Sequence, residues 1–181
     1  MKRTLATVCL ALAVFLGNTG ISWSAEPIKA YCLLGTKHSH SPIAGQCSDA
    51  YESGDYATAL REWKPLAEKG LANAQHNLGQ IYRRVQRAPQ GYKTAVKWYR
   101  LAAKQGDAIA QSNLGTMYNN GQGVPKDYVR AHMWFNIAAK YGNNKNASGN
   151  RDIVAKQMTT FQLETAQRLA RECVRKKYKG C

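Results

Sequence analysis

A formal charge of +15 on 181 residues, 26 Lys and Arg against 11 Asp and Glu, leaves few carboxylates for acid–base or metal chemistry and selects anionic partners. One stretch, Leu5 to Gly17, is uncharged and apolar, but it is shorter than the about 20 residues that a membrane helix needs. No stable membrane anchor is therefore expected.

Lys2 and Arg3 precede that stretch, and small residues follow it around Ser22-Trp23-Ser24-Ala25. This order predicts a secretory signal over 1–24, cleaved after Ser24. Export to the periplasm or beyond makes Cys32, Cys47, Cys173 and Cys181 candidates for two disulfides. Closeness in sequence favours Cys32–Cys47, closing a loop of an N-terminal extension over 25–46, and Cys173–Cys181 at the tail. A staple joining the two ends is the alternative pairing. His38 and His40 beside Cys32 and Cys47 match no familiar zinc spacing, so no metal and no other cofactor is expected. In an exported chain the positive charge points to protein or acidic envelope components rather than nucleic acid.

Residues 47–70 read as a partial capping repeat. Asp55 is placed to cap a helix carrying Tyr56, Thr58, Ala59, Trp63, Leu66 and Ala67, with a short partner helix over Cys47 to Ser53. Pro65 should kink that helix or mark an exposed turn. Two full units follow, over 71–106 and 107–142. Gly70-Leu-Ala-Asn-Ala-Gln-His-Asn-Leu-Gly79 recurs 36 residues later as Gly106-Asp-Ala-Ile-Ala-Gln-Ser-Asn-Leu-Gly115. The same offset carries Tyr82 onto Tyr118, Ala95 onto Ala131 and Trp98 onto Trp134. A period of this size predicts an all-α solenoid of stacked antiparallel helix hairpins, each too small to bury its own apolar face.

In the second unit Asp107 should cap a helix from Ala108 to about Asn119. Asn120 to Lys126 breaks the chain, and Asp127 caps a helix from Tyr128 to about Tyr141. Gly142 is expected to supply a left-handed exit. Gly79 and Gly115 sit in mid-helix, where glycine is unfavourable, and predict a close backbone crossing against Ala95 and Ala131. Trp98 and Trp134 are read as core spacers between hairpins. Residues 143–181 should form a C-terminal cap: a loop over 142–149, a helix from about Arg151 to Met158, and a last helix opened by a Thr159–Gln162 capping box. The tail is strongly basic at Arg168, Arg171, Arg175, Lys176, Lys177 and Lys179.

The block Ala108-Ile-Ala-Gln-Ser-Asn-Leu-Gly-Thr-Met-Tyr118, continued through Gly121-Gln-Gly-Val-Pro-Lys-Asp-Tyr128 to Ala131, Trp134, Ala138 and Gly142, resembles the Sel-one-like repeat family, a relative of the tetratricopeptide repeats. The resemblance implies a right-handed superhelix and an adaptor that holds other proteins. The unit at Leu71 departs from the pattern in its loop, where Val85, Arg87 and Gly91 replace the expected Gly, Gly and Asp. A disulfide-rich branch of the family binds or hydrolyses β-lactams and places cysteines inside each repeat; here Ala102 and Ala138 occupy that region.

By the tetratricopeptide geometry the first helix of each hairpin lines a concave groove. That assigns Asn73, His76, Gln80 and Arg83, with Ile109, Ser112, Thr116 and Asn119 as their equivalents, to a face for a protein, peptide or acidic-tail partner. Each set climbs its helix in steps of three or four. His76 and Arg83 are the expected hydrogen-bond donors. No catalytic residue is assigned: no serine has a lysine three positions on, and no Gly-x-Ser-x-Gly elbow or phosphate loop occurs. The alternative function is a small periplasmic hydrolase or β-lactam-binding protein.

Overall fold

A computed structural model of the chain describes residues 45–85 and 89–181, with the backbone alone for residues 45–48 and 89. The expected signal over 1–24, Cys32, His38, His40, Arg87 and the Cys32–Cys47 pairing lie outside the described residues. Those residues form eight α-helices and no strand. They are α1 (Gly45–Glu52), α2 (Tyr56–Glu68), α3 (Ala72–Val85), α4 (Pro89–Ala103), α5 (Ala108–Asn120), α6 (Tyr128–Tyr141), α7 (Lys145–Ala155) and α8 (Thr160–Arg175).

The helix starts follow their capping residues. Asp55 accepts from the Thr58 N–H at 3.1 Å, Asp107 from Ala110 at 2.7 Å and Asp127 from Arg130 at 2.9 Å. Each satisfies a donor that the first turn would otherwise leave open. Thr159 and Gln162 form the reciprocal capping box, at 3.2 and 2.9 Å. Pro65 lies inside α2 on its exposed side, where its missing N–H and ring face water.

Consecutive helices pack as hairpins around two apolar clusters. Trp63, Leu66, Leu78 and Ile81 fill the first; Tyr99, Leu114, Met117, Trp134, Phe135 and Ile137 fill the second. Tyr82 packs against both and joins them. Trp134 is buried, and Trp98 is half-buried and packs against the first cluster from a helix that lines the second. The fully interior aromatic sits one residue further on, at Tyr99 and Phe135, with Trp63 in register in the partial unit.

Those rings also explain the mid-helix glycines. A Cβ on Gly79 would lie 2.5 Å from Tyr99 Cε1, and one on Gly115 would lie 2.8 Å from Phe135 Cδ1. The close approach is therefore a ring edge seated in a notch. It is not the backbone crossing against Ala95 and Ala131 expected from sequence.

Two features of the C-terminal cap also differ from expectation. Gly142 has φ −104°, outside the left-handed region, and Asn143 takes that conformation instead at φ +50°. The loop is shorter than 142–149 because Asn144 caps α7, its side chain accepting from the Ala147 N–H at 3.2 Å. α7 consequently starts at Lys145 and ends at Ala155. Cys173 and Cys181 are joined by a disulfide, which turns the tail back so that Tyr178 packs on the second cluster beside Gly106.

Candidate functional site

Successive units are tied together by side-chain amides. Gln75 Nε2 donates to the Ala67 carbonyl at 3.1 Å, and Gln111 Nε2 repeats the bond 36 residues on, to Ala103 at 3.2 Å. Both glutamines are buried. Each supplies a second donor to a carbonyl at the end of the preceding helix, which also accepts the N–H of Gly70 or Gly106 at 3.0 Å. Gln105, in the α4–α5 turn, adds bonds to Gln75 Oε1 and the Gly70 carbonyl, both at 2.8 Å. The glutamine in phase at 75 and 111 was the sequence signal for this clamp; Gln105 has no counterpart one unit on, where Tyr141 stands.

The clamps fix α3 to the end of α2 and α5 to the end of α4, and α3 and α5 carry the expected partner-binding residues. Asn73 is exposed. Gln80, Arg83, Ser112, Thr116 and Asn119 are half-buried, and Ile109 is an exposed apolar residue at 51 % accessibility. Thr116 Oγ1 donates to its own helix, to the Ser112 carbonyl at 3.2 Å, and Asn119 Nδ2 donates to Asn120 Oδ1 at 2.9 Å.

His76 differs from its neighbours: its side chain is inside. Nδ1 faces Asp107 Oδ2 at 3.7 Å, while Nε2 contacts Gln80 Nε2. Gln80 Oε1 in turn accepts from the Tyr51 hydroxyl at 3.0 Å. One proton arrangement satisfies all three contacts: a neutral imidazole protonated on Nδ1, with Nε2 accepting from Gln80. Burial lowers the His76 pKa, the nearby Asp107 carboxylate opposing that shift, so the neutral ring is the favoured form. The chain Tyr51–Gln80–His76–Asp107 thus runs from α1 through α3 to the cap of α5. His76 is a buried link of this chain, whereas sequence had cast it as a free donor to a partner.

Arg83 ends the same face. Its Nε is buried without a hydrogen-bond partner, as is Asn119 Oδ1 one unit later. The Tyr99 hydroxyl lies beside Arg83; burial raises its pKa well above the usual phenol range, and the charge and hydrogen bonding of Arg83 oppose that shift. Arg83, Arg84, Tyr92 and Gln122 line a cleft of about 380 Å³ at this end. Among the described residues no cluster of His, Cys, Asp and Glu could hold a metal ion, and no helix is long and apolar enough to cross a membrane.

Stacked hairpins, in-phase amide clamps and an aromatic ring opposite Gly79 and Gly115 define a helical-repeat protein of solenoid type. More narrowly, residues 72–107 and 108–143 each match the Sel1 repeat, so the chain carries two Sel1 repeats in tandem. The fold is similar to the crystal structure of a protective antigen of uropathogenic Escherichia coli displaying an SLR fold. The TM-score is 0.66 at 32 % identity, over 73 % of this chain and 29 % of that one. The chain thus spans under a third of that protein's length. No curated protein matches the chain. Sel1-repeat proteins generally mediate protein–protein interaction and are typically non-enzymatic.

Proposed function

We propose that this chain is an exported adaptor, acting in the periplasm or outside the cell, that holds an extended acidic segment of a partner protein along α3 and α5. Asn73, Gln80, Arg83, Ser112, Thr116 and Asn119 are its polar contacts and Ile109 its apolar one. The observation that carries this reading is the pair of buried, unpartnered atoms Arg83 Nε and Asn119 Oδ1 at matching positions of the two repeats. An unsatisfied buried polar group costs about 1–3 kcal/mol. A donor and an acceptor left open in phase suit the backbone of a bound peptide. His76 serves the face by fixing Gln80. The basic C-terminal region adds attraction for an acidic partner, and the Cys173–Cys181 disulfide supports an oxidising location.

A photo-crosslinking residue placed at Ser112 or Thr116 should capture a partner in living cells. The same residue at Glu164 on α8 should not, and Arg83→Ala with Asn119→Ala should abolish capture. Equal capture from all three positions would remove the assignment to this face. N-terminal sequencing of the chain recovered from the envelope should begin at Ala25. Turnover of a chromogenic β-lactam by the purified chain would replace the adaptor reading with the hydrolase one.

A further inference from the structure

The junction between the last repeat and its cap holds a second polar cleft, of about 410 Å³, away from the α3–α5 face. Two stripes at four-residue spacing face each other across it: His132, Asn136 and Lys140 on α6, and Leu163, Gln167 and Arg171 on α8. Arg151 and Asp152 of α7 close the third side. The volume falls within the roughly 300–1,000 Å³ of small-molecule sites.

The residue out of place is His132. Its counterpart one repeat earlier is Val96, an apolar core residue 2 % exposed. His132 is 3 % exposed, yet its Nδ1 is buried with no hydrogen-bond partner. The repeat accepts an aliphatic side chain here, so packing does not call for imidazole. A buried imidazole nitrogen lining a cleft and left open needs another explanation.

The charge supplies one. Lys140, Arg151 and Arg171 line the cleft with one carboxylate, Asp152, and that carboxylate is already held by Arg151 at 2.7 Å. Among the described residues Lys140 and Arg171 make no ion pair. The same cleft has an apolar wall, formed by Tyr141, Ala155 and Leu163.

We propose that this cleft binds a small organic carboxylate, its oxyanion held by Lys140, Arg171 and the Nδ1–H of His132, its apolar body against Tyr141 and Leu163. Guanidinium and ammonium groups give charge-assisted bonds, and the amides of Asn136 and Gln167 can complete the oxyanion's shell. Burial and the neighbouring Arg151 both lower the His132 pKa, so the ring serves as a neutral donor.

The test is a resonance-by-resonance titration of the purified, isotope-labelled chain with three probes: benzoate, benzamide and inorganic phosphate. Benzoate should produce saturable shifts at the His132 imidazole and the Arg171 Nε–H, and benzamide, lacking the charge, should not. Phosphate should bind at least about tenfold more weakly, for want of an apolar body. Arg171→Gln and His132→Val should each weaken benzoate about tenfold or more. His132→Val restores the side chain used one repeat earlier, so its melting temperature should hold or rise; a loss of stability without a loss of binding would show a structural histidine and overturn the site. Equal shifts with benzamide, phosphate binding as tight as benzoate, or affinity indifferent to Arg171→Gln would also overturn it.

Discussion

A methyl group added at Gly115 would run into the edge of Phe135, and at Gly79 into Tyr99. Alanine is favoured over glycine in a helix by up to about 1 kcal/mol, while overpacking a tight core costs about 1–3 kcal/mol. The clash therefore wins: Gly115→Ala should destabilise the chain by about 1–2 kcal/mol, a melting-temperature loss of a few degrees. The double change Gly115→Ala with Phe135→Leu should lose less than the two single changes combined, because the smaller side chain vacates the notch. Strict additivity in thermal melts would show that ring and glycine do not interact. His76 and His132 make a second prediction at this scale. Both have folded pKa values below the ordinary 6.5, so between those values and 6.5 the unfolded chain binds more protons. Stability should be level from about pH 8 to 7 and fall as the pH drops below about 6.5. His132→Val should remove part of that slope and leave the part due to His76. A melting temperature independent of pH down to about 5 would contradict the burial of both rings.

Among the elements, the disulfide that folds the tail after α8 is the most testable. Cys173 and Cys181 are 8 residues apart. Chain-entropy reasoning gives a loop of that size up to about 2.5 kcal/mol. Reduction, or Cys173→Ser with Cys181→Ser, should lower stability by about 2 kcal/mol or less and release Tyr178 from its place beside Gly106. Amide exchange over residues 176–181 should then rise with little change in α5. No change in exchange there would mean that packing alone holds the tail. Capping chemistry made several element boundaries legible in the sequence: Asp55, Asp107, Asp127 and Thr159 each open the helix that local pattern assigns to them. The boundary at α7 was hidden because Ala147, Ser148 and Gly149 read as a loop, while the single cap at Asn144 decides the start. The identity of the interior ring was hidden for another reason. Trp98 and Tyr99 are adjacent, and only the tilt of α4 on α3 decides which one enters the glycine notch. In the proposed partner-binding face, the helices and the polar stripe along them were legible in the sequence. The burial of His76 was not legible there, because the groups that fix it are remote along the chain: Asp107 caps the following hairpin, and Tyr51 lies 29 residues before the Gln80 it engages.

At the scale of the molecule, charge and repetition matter most. An excess of 26 cations over 11 acids creates a field that favours approach of acidic chains. Association with a polyanionic partner should slow about tenfold as salt rises from about 0.05 to 0.5 M, with dissociation less affected. A salt-independent association rate in surface-binding kinetics would show that the basic residues do not steer the encounter. The glutamine clamps have a consequence of a different sort. Each donor reaches back to the unit before it, and each unit offers an equivalent acceptor to the one behind. For the Gln75 and Gln111 amides the joint therefore has a direction and is the same at both places, with Gln105 reinforcing the first alone. A second copy of residues 71–106, inserted at the Gly106–Asp107 boundary, would meet a fitting neighbour on either side. Tandem duplication thus reuses this amide bond and can extend the stack by a whole turn-and-hairpin module, the one contact to be remade being that of His76, which would face the copy of Leu71 in place of Asp107.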